Sequence, residues 1–151
     1  MGVEIHLHCF DYGRGPAKEL ERYCASVHYY ERRTGLRAVC SKRPYIVESR
    51  ENEELINRLQ SDNIPILLEG LHCCSVLEAL SERGNREVFV RAHNVEHDYY
   101  MGLAHAERRL WKRFYLYSDA LKLRRYEQVL QRASAVFAIT EADAKHYEQY
   151  G

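Results

Sequence analysis

No apolar run in this chain approaches the ~20 residues that a membrane-spanning helix needs. A charged start followed by an apolar stretch and a small-residue cleavage site is also missing, so nothing reads as a secretory signal. Net charge is absent too: 22 Lys and Arg balance 22 Asp and Glu. That removes the basic excess typical of a nucleic-acid binder, and no nucleic-acid partner is expected. The five cysteines include no CxxC spacing, their number is odd, and Cys73 and Cys74 are adjacent. Reduced thiols in a cytoplasmic protein fit this better than a disulfide frame. There is no G-x-S-x-G elbow, no Walker loop and no Rossmann glycine fingerprint, and Gly13-Arg14-Gly15 is too short to stand for one. Repeats and low-complexity segments are lacking as well. What remains is 151 residues, 46% hydrophobic, enough for one domain with a real core.

Val3 to Phe10 alternates apolar and polar residues and predicts a strand, ended by turn residues from Asp11 to Pro16. Leu20, Tyr23, Cys24, Val27 and Tyr30 follow helical spacing and predict a helix from Ala17 to Arg33, closed by Gly35. Leu36 to Cys40 predicts a short strand, and Arg43 to Arg50 an irregular or extended link. Glu53 to Gln60 predicts a helix, and Ile66-Leu67-Leu68 starts an apolar strand of the kind covered on both faces. A helix from His72 to Arg83, ended by Gly84-Asn85, leads to a strand over Glu87–Ala92. A long helical stretch follows from about Tyr99 to Arg132, with a break expected near Ser118-Asp119. A strand over Ser134–Ile139 and a last helix complete the chain. This alternation predicts an α/β fold with an open, mostly parallel sheet flanked by helices. The chain enters a strand at its third residue and stops at Gly151 after one helix, so a piece of something longer is expected.

In such a sheet, ligands gather beyond the carboxyl ends of the strands. Those ends deliver Asp11, Tyr12 and Arg14, then Glu69, Gly70 and His72. Next come Arg91, His93, Asn94, Glu96 and His97, and finally Thr140, Glu141 and Asp143. Histidines, carboxylates and arginines together suit a polar ligand with many hydroxyls, although loops are polar in any protein. His93, Glu96 and His97 also spell H-x-x-E-H, an inverted zinc-peptidase pattern. His93 follows directly on a β-rich run, however, which places it at a strand end and not within a helix, and no third ligand stands out. His6, His8 and Cys9 in one strand, and His72, Cys73 and Cys74 opening a helix, are poor ligand geometry as well. No metal and no cofactor are expected.

The stretch from Arg108 to Arg132 holds eight basic residues against Asp119 and Glu127. Leu110, Trp111, Phe114, Tyr117 and Leu121 run along it at helical spacing. The simpler expectation is a core-facing stripe with a solvated basic back. The alternative is a peripheral helix facing anionic lipid at the inner membrane face.

The string Ile66-Leu67-Leu68-Glu69-Gly70-Leu71-His72, followed by Val90-Arg91-Ala92-His93-Asn94-Val95-Glu96-His97-Asp98-Tyr99-Tyr100, resembles the amino-terminal half of family-4-type glycosyltransferases with the GT-B fold. The likeness is to a bacterial subgroup carrying PILxEGLH and RxHNxEHxYY. It continues through Leu123-Arg124-Arg125-Tyr126-Glu127 and Phe137-Ala138-Ile139-Thr140-Glu141-Ala142-Asp143, and covers nearly the whole chain. The resemblance implies retaining transfer from a nucleotide-sugar donor to a sugar or lipid-linked acceptor, in a cleft between two Rossmann-like domains and without a divalent cation. The strand-end histidine of the family matches His93. Glu69, Arg91, Asn94 and Glu96 would line or support the site, and Thr140 and Glu141 would border it. The chain would be the acceptor-side domain, opening at the family's second strand, with the carboxyl-terminal donor-binding domain outside it and no activity expected from this half alone. A strand edge left uncovered invites pairing with a second copy.

Three readings follow, in order of preference: half of a glycosyltransferase, a non-catalytic α/β module that binds a partner or small ligand, and a zinc hydrolase using His93, Glu96 and His97.

Overall fold

A computed structural model describes residues 2–80 and 86–150 of the chain. Strand β1 (His6–Phe10) pairs in parallel with β2 (Ser26–Tyr30), and the two are joined through a 3-10 helix at Lys18–Arg22. Three short helices follow: α1 (Leu36–Val39), α2 (Tyr45–Glu48) and α3 (Glu53–Leu59). A second parallel sheet runs β3 (Ile66–Glu69), β4 (Val88–Ala92) and β5 (Ala135–Ala138), with β4 in the centre. Helix α4 (Ser75–Leu80) lies between β3 and β4. Helices α5 (Glu96–Ala106) and α6 (Leu110–Tyr126), with a 3-10 turn at Glu127–Arg132, lie between β4 and β5, and α7 (Glu141–Tyr147) follows β5. The fold is α/β with open, all-parallel sheets flanked by helices, as the alternating pattern predicts. Residues 81–85, where the sequence places the end of a helix at Gly84-Asn85, lie outside those described.

Three local expectations are corrected. The helix predicted over Ala17–Arg33 is a 3-10 turn and then strand β2. Val27-His28-Tyr29-Tyr30 is β-branched and aromatic, which suits a pleated surface. Pairing with β2 also satisfies the backbone of β1, with Ala25 N–H donating to Ile5 O and Asp11 N–H to Tyr30 O, both at 2.8 Å. Side chains reinforce the pair: His6 Nδ1 lies 2.9 Å from Ser26 Oγ, and His8 Nδ1 lies 2.8 Å from the Tyr30 hydroxyl. Gly35 does not close a helix. It precedes α1 with φ +125°, a conformation open to glycine, and Leu36–Val39 is a helical turn and not a strand. Tyr45–Glu48, within the expected irregular link, is helical too.

The long helix breaks at Glu107–Arg109 and not near Ser118-Asp119. The Glu107 side chain accepts from Arg109 N–H at 3.0 Å and meets Lys112 Nζ at 2.9 Å, which fixes the start of α6. Asp119 stays helical because its buried carboxylate has another task. Both oxygens lie 3.2 Å from Tyr45 N–H, so it caps α2 from across the fold where Pro44 offers no side-chain acceptor. Burial pushes its carboxyl up, against the pull of the Tyr45 N–H and Lys122. Asp119→Ala should therefore cost about 2–3 kcal/mol in urea unfolding, because a buried donor loses its acceptor. A cost below about 0.5 kcal/mol, the range of neutral surface changes, would refute the cap.

The core lies between the second sheet and its helices, with Leu68, Val88, Val90 and Ala92 facing Leu71, Val76, Leu77, Leu123 and Leu130. Alternation along the strands puts Leu67, Phe89 and Phe137 on the other face. Leu67 and Phe137 are exposed there, so coverage of both faces, expected from the apolar run, is not found among the described residues. The aromatic stripe of α6 is corrected as well. Leu110, Trp111, Phe114, Tyr117 and Leu121 are exposed, and α6 turns Ala120 and Leu123 to the core instead. Among the described residues, no helix is long and apolar enough to cross a membrane.

Candidate functional site

His93 stands directly after β4, at the carboxyl end of the central strand of its sheet, with its side chain 39% exposed. Parallel register sets Glu69, the last residue of β3, opposite Arg91. One carboxylate oxygen of Glu69 lies 3.2 Å from His93 Nε2 and 3.2 Å from Arg91 Nε. A single acceptor thus ties the strand-end imidazole to its neighbour, as outer-shell carboxylates orient functional histidines elsewhere. Gly70, at φ +95°, lets the chain turn beneath this group. A Cβ added there would sit 2.7 Å from the His72 ring and 3.5 Å from the His93 ring, so only glycine allows this close approach.

His72 belongs to a 3-10 turn (Leu71–Cys73) that continues from β3. Burial lowers its imidazole to about 4, and Arg50, His93 and Arg32 push in the same direction. It is therefore neutral at pH 7. An unfolded chain takes up this proton near 6.5, whereas the folded chain resists until about 4, so acidification through that window favours unfolding. The loss should approach about 3 kcal/mol between pH 7 and pH 4. His72→Gln should flatten this part of the profile in urea unfolding at several pH values. An unchanged slope would show that the ring is not held neutral.

Glu96 opens α5, and burial pushes its carboxyl up while His93 and Arg50 pull it down. The side-chain carbonyl oxygen of Asn94, an acceptor, is buried without a hydrogen-bond partner among the described residues. Its backbone carbonyl accepts from the Tyr147 hydroxyl at 2.8 Å. Glu69, Arg91 and His93 are thus brought together, with Glu96 beside His93. Thr140 and Glu141 stand apart from them in role: Thr140 caps α7 by accepting from Asp143 N–H at 3.1 Å, and Glu141 is an exposed first-turn residue.

Two arginines that sequence reasoning missed complete the strand-end region. Arg32 follows β2 and lies over the Tyr12 ring at 4.7 Å, with its Nε buried and without a partner among the described residues. Arg50 also packs on Tyr12, 5.6 Å from the ring centroid, and donates to its hydroxyl. Asp11, Tyr12, Gly13, Glu31, Arg32 and Thr34 line an open hollow at the ends of β1 and β2. Arg32 falls in the segment whose spacing predicts a helix, and Arg50 in the one that predicts an irregular link. A cation two residues after a β-rich run such as Val27–Tyr30 is the signal that points to the first.

The H-x-x-E-H arrangement does not form. His93 precedes α5 and contacts Glu69, whereas His97 lies within α5 and its Nδ1 is 2.7 Å from Glu127. Among the described residues, the group able to hold a metal ion is His97, Glu127 and His146, whose ligand atoms lie within 4.8 Å of one another. Two imidazoles and a carboxylate are a donor set that zinc accepts. Here they bond to each other, with His146 Nε2 3.0 Å and the Tyr150 hydroxyl 3.4 Å from the second carboxylate oxygen. This arrangement clasps α5, α7 and the turn after α6 together. No protein-family model matches the chain, and no curated protein does.

Proposed function

We propose that the chain is the acceptor-side half of a retaining GT-B glycosyltransferase, which moves a hexose from a nucleotide sugar to a sugar or lipid-linked acceptor in the cytoplasm. The observation that carries this reading is His93 at the end of a central parallel strand, tethered by Glu69 and set above Gly70. Motif likeness around Glu69-Gly70-Leu71-His72 and His93–Tyr100 supplies the reaction class; the chemistry of the strand ends is compatible with it.

In this reading Glu69 holds Nε2 of His93, which leaves Nδ1 to engage a sugar hydroxyl. Arg32 and Arg50 add positive potential near the strand ends, suited to a phosphate-bearing ligand. During transfer, the bond from the donor's anomeric carbon to the distal phosphate oxygen breaks. A bond to the acceptor oxygen forms on the same face, and the acceptor's hydroxyl proton passes to the departing phosphate. Nucleotide contacts come from a second Rossmann-like domain, so this half alone is expected to turn over no donor.

The test is release of nucleoside diphosphate by the complete transferase from a panel of UDP-, GDP- and dTDP-hexoses, with saccharide and lipid-linked acceptors. Acceptor-dependent release with retained anomeric configuration supports the reading. A protein that binds saccharide at the strand ends but releases no nucleotide with any donor would be the non-catalytic module.

A further inference from the structure

The outward face of α6 combines two features that soluble surfaces rarely combine. Leu110, Trp111 and Phe114 are 80%, 69% and 74% exposed, and Tyr117 and Leu121 extend the same stripe along the helix. An apolar stripe of this length on a solvent face marks an interaction surface. Its flanks are cationic: Arg108, Arg109 and Arg113 at the start, Arg124 and Arg125 at the end, all exposed.

The two acids of the stretch do not offset that charge at the surface. Asp119 is buried against Tyr45 N–H, and Glu127 is buried between His97 and His146. Everything charged that this stretch shows to solvent, from Arg108 to Arg132, is therefore positive. Along this stretch the two acids point inward, with Lys122 beside Asp119, while the arginines face outward.

The geometry points to an anionic lipid surface as the occupant of this face. The helix would lie in the plane of the interface, with Leu110, Trp111 and Phe114 at the boundary between headgroups and acyl chains. Arg108, Arg109 and Arg113 would meet the lipid phosphates, whereas Lys112 is held by Glu107 at 2.9 Å. Trp and Tyr favour that boundary because one end of each ring system is apolar and the other polar. The inference is independent of the sugar-transfer reading, since no strand-end residue takes part.

Trp111 is the one tryptophan of the chain, so its fluorescence reports on this face alone. With vesicles of phosphatidylcholine containing about 30% phosphatidylglycerol, its emission should shift to the blue at low salt. The shift should weaken strongly at about 0.5 M NaCl, where screening is short-ranged. The double variant Arg109→Gln/Arg113→Gln should bind about twentyfold more weakly, and Leu110→Ser/Phe114→Ser at least tenfold. All these side chains are exposed, so thermal unfolding should be unchanged, and His93→Ala should bind vesicles as the parent does. Emission that does not respond to anionic vesicles at low salt overturns the proposal. So does a lipid-free dimer in which Trp111 is already shielded, because a second copy would then cover the face.

Discussion

In the proposed transferase, replacing His93 with alanine should lower turnover roughly a hundredfold while leaving the fold intact. Loss of one positioned hydrogen-bonding group at a reacting centre has effects of this size. Stability should scarcely change, because the ring is substantially exposed and Glu69 keeps Arg91 at 3.2 Å once the imidazole is gone. An exposed ion pair of this kind contributes about 0–1 kcal/mol. Glu69→Gln should fall between the two, since it retains an oxygen acceptor for Nε2 but loses the charge that orients it. Kinetics of nucleotide release, set beside urea unfolding of each variant, separate the effects. An unchanged rate in His93→Ala would remove this residue from the chemistry.

Glu127→Ala should be strongly destabilising, at about 3–5 kcal/mol. Its carboxylate is fully buried and accepts from His97, His146 and the Tyr150 hydroxyl. Alanine leaves three partly buried polar groups without their shared partner. For a domain with ordinary stability of about 5–15 kcal/mol this is a large share, and the melting temperature should fall by roughly 10 °C or more. Glu127→Gln should cost less: its carbonyl still accepts from one imidazole, and its amide can donate to the other if that ring changes tautomer. Thermal unfolding followed by circular dichroism checks both. A loss below about 1 kcal/mol for the alanine variant would show that the three donors find other partners.

The second sheet was legible because its strands are apolar runs bounded by clear turns. The Val88–Ala92 run ends where a polar cluster begins, and that alone sets His93 at a strand tip. The first sheet was not legible, since Leu20, Tyr23, Cys24, Val27 and Tyr30 satisfy helical spacing by coincidence while β1 needs a parallel partner. Long-range pairing decided that segment, and no local window contains it. The same applies to Glu127, whose partners lie 30 and 19 residues away in sequence. It applies also to Asp119, which reads as a helix break until α2 is seen resting on it. For α6 the spacing was right but its direction was not, because periodicity marks a face without saying which way it points. Of the site, Glu69, Arg91 and His93 can be read from strand ends, whereas Arg32 and Arg50 lie in segments whose local pattern suggests a helix and an irregular link.

The most direct measurement is amide chemical-shift mapping of this chain during titration with acceptor-type saccharides. Shifts clustered at Gly70, His72, His93 and Asn94, and abolished by His93→Ala, are the expected result. Saccharide binding that leaves these amides unmoved, or that perturbs only residues remote from the strand ends, would contradict a sugar site built around His93.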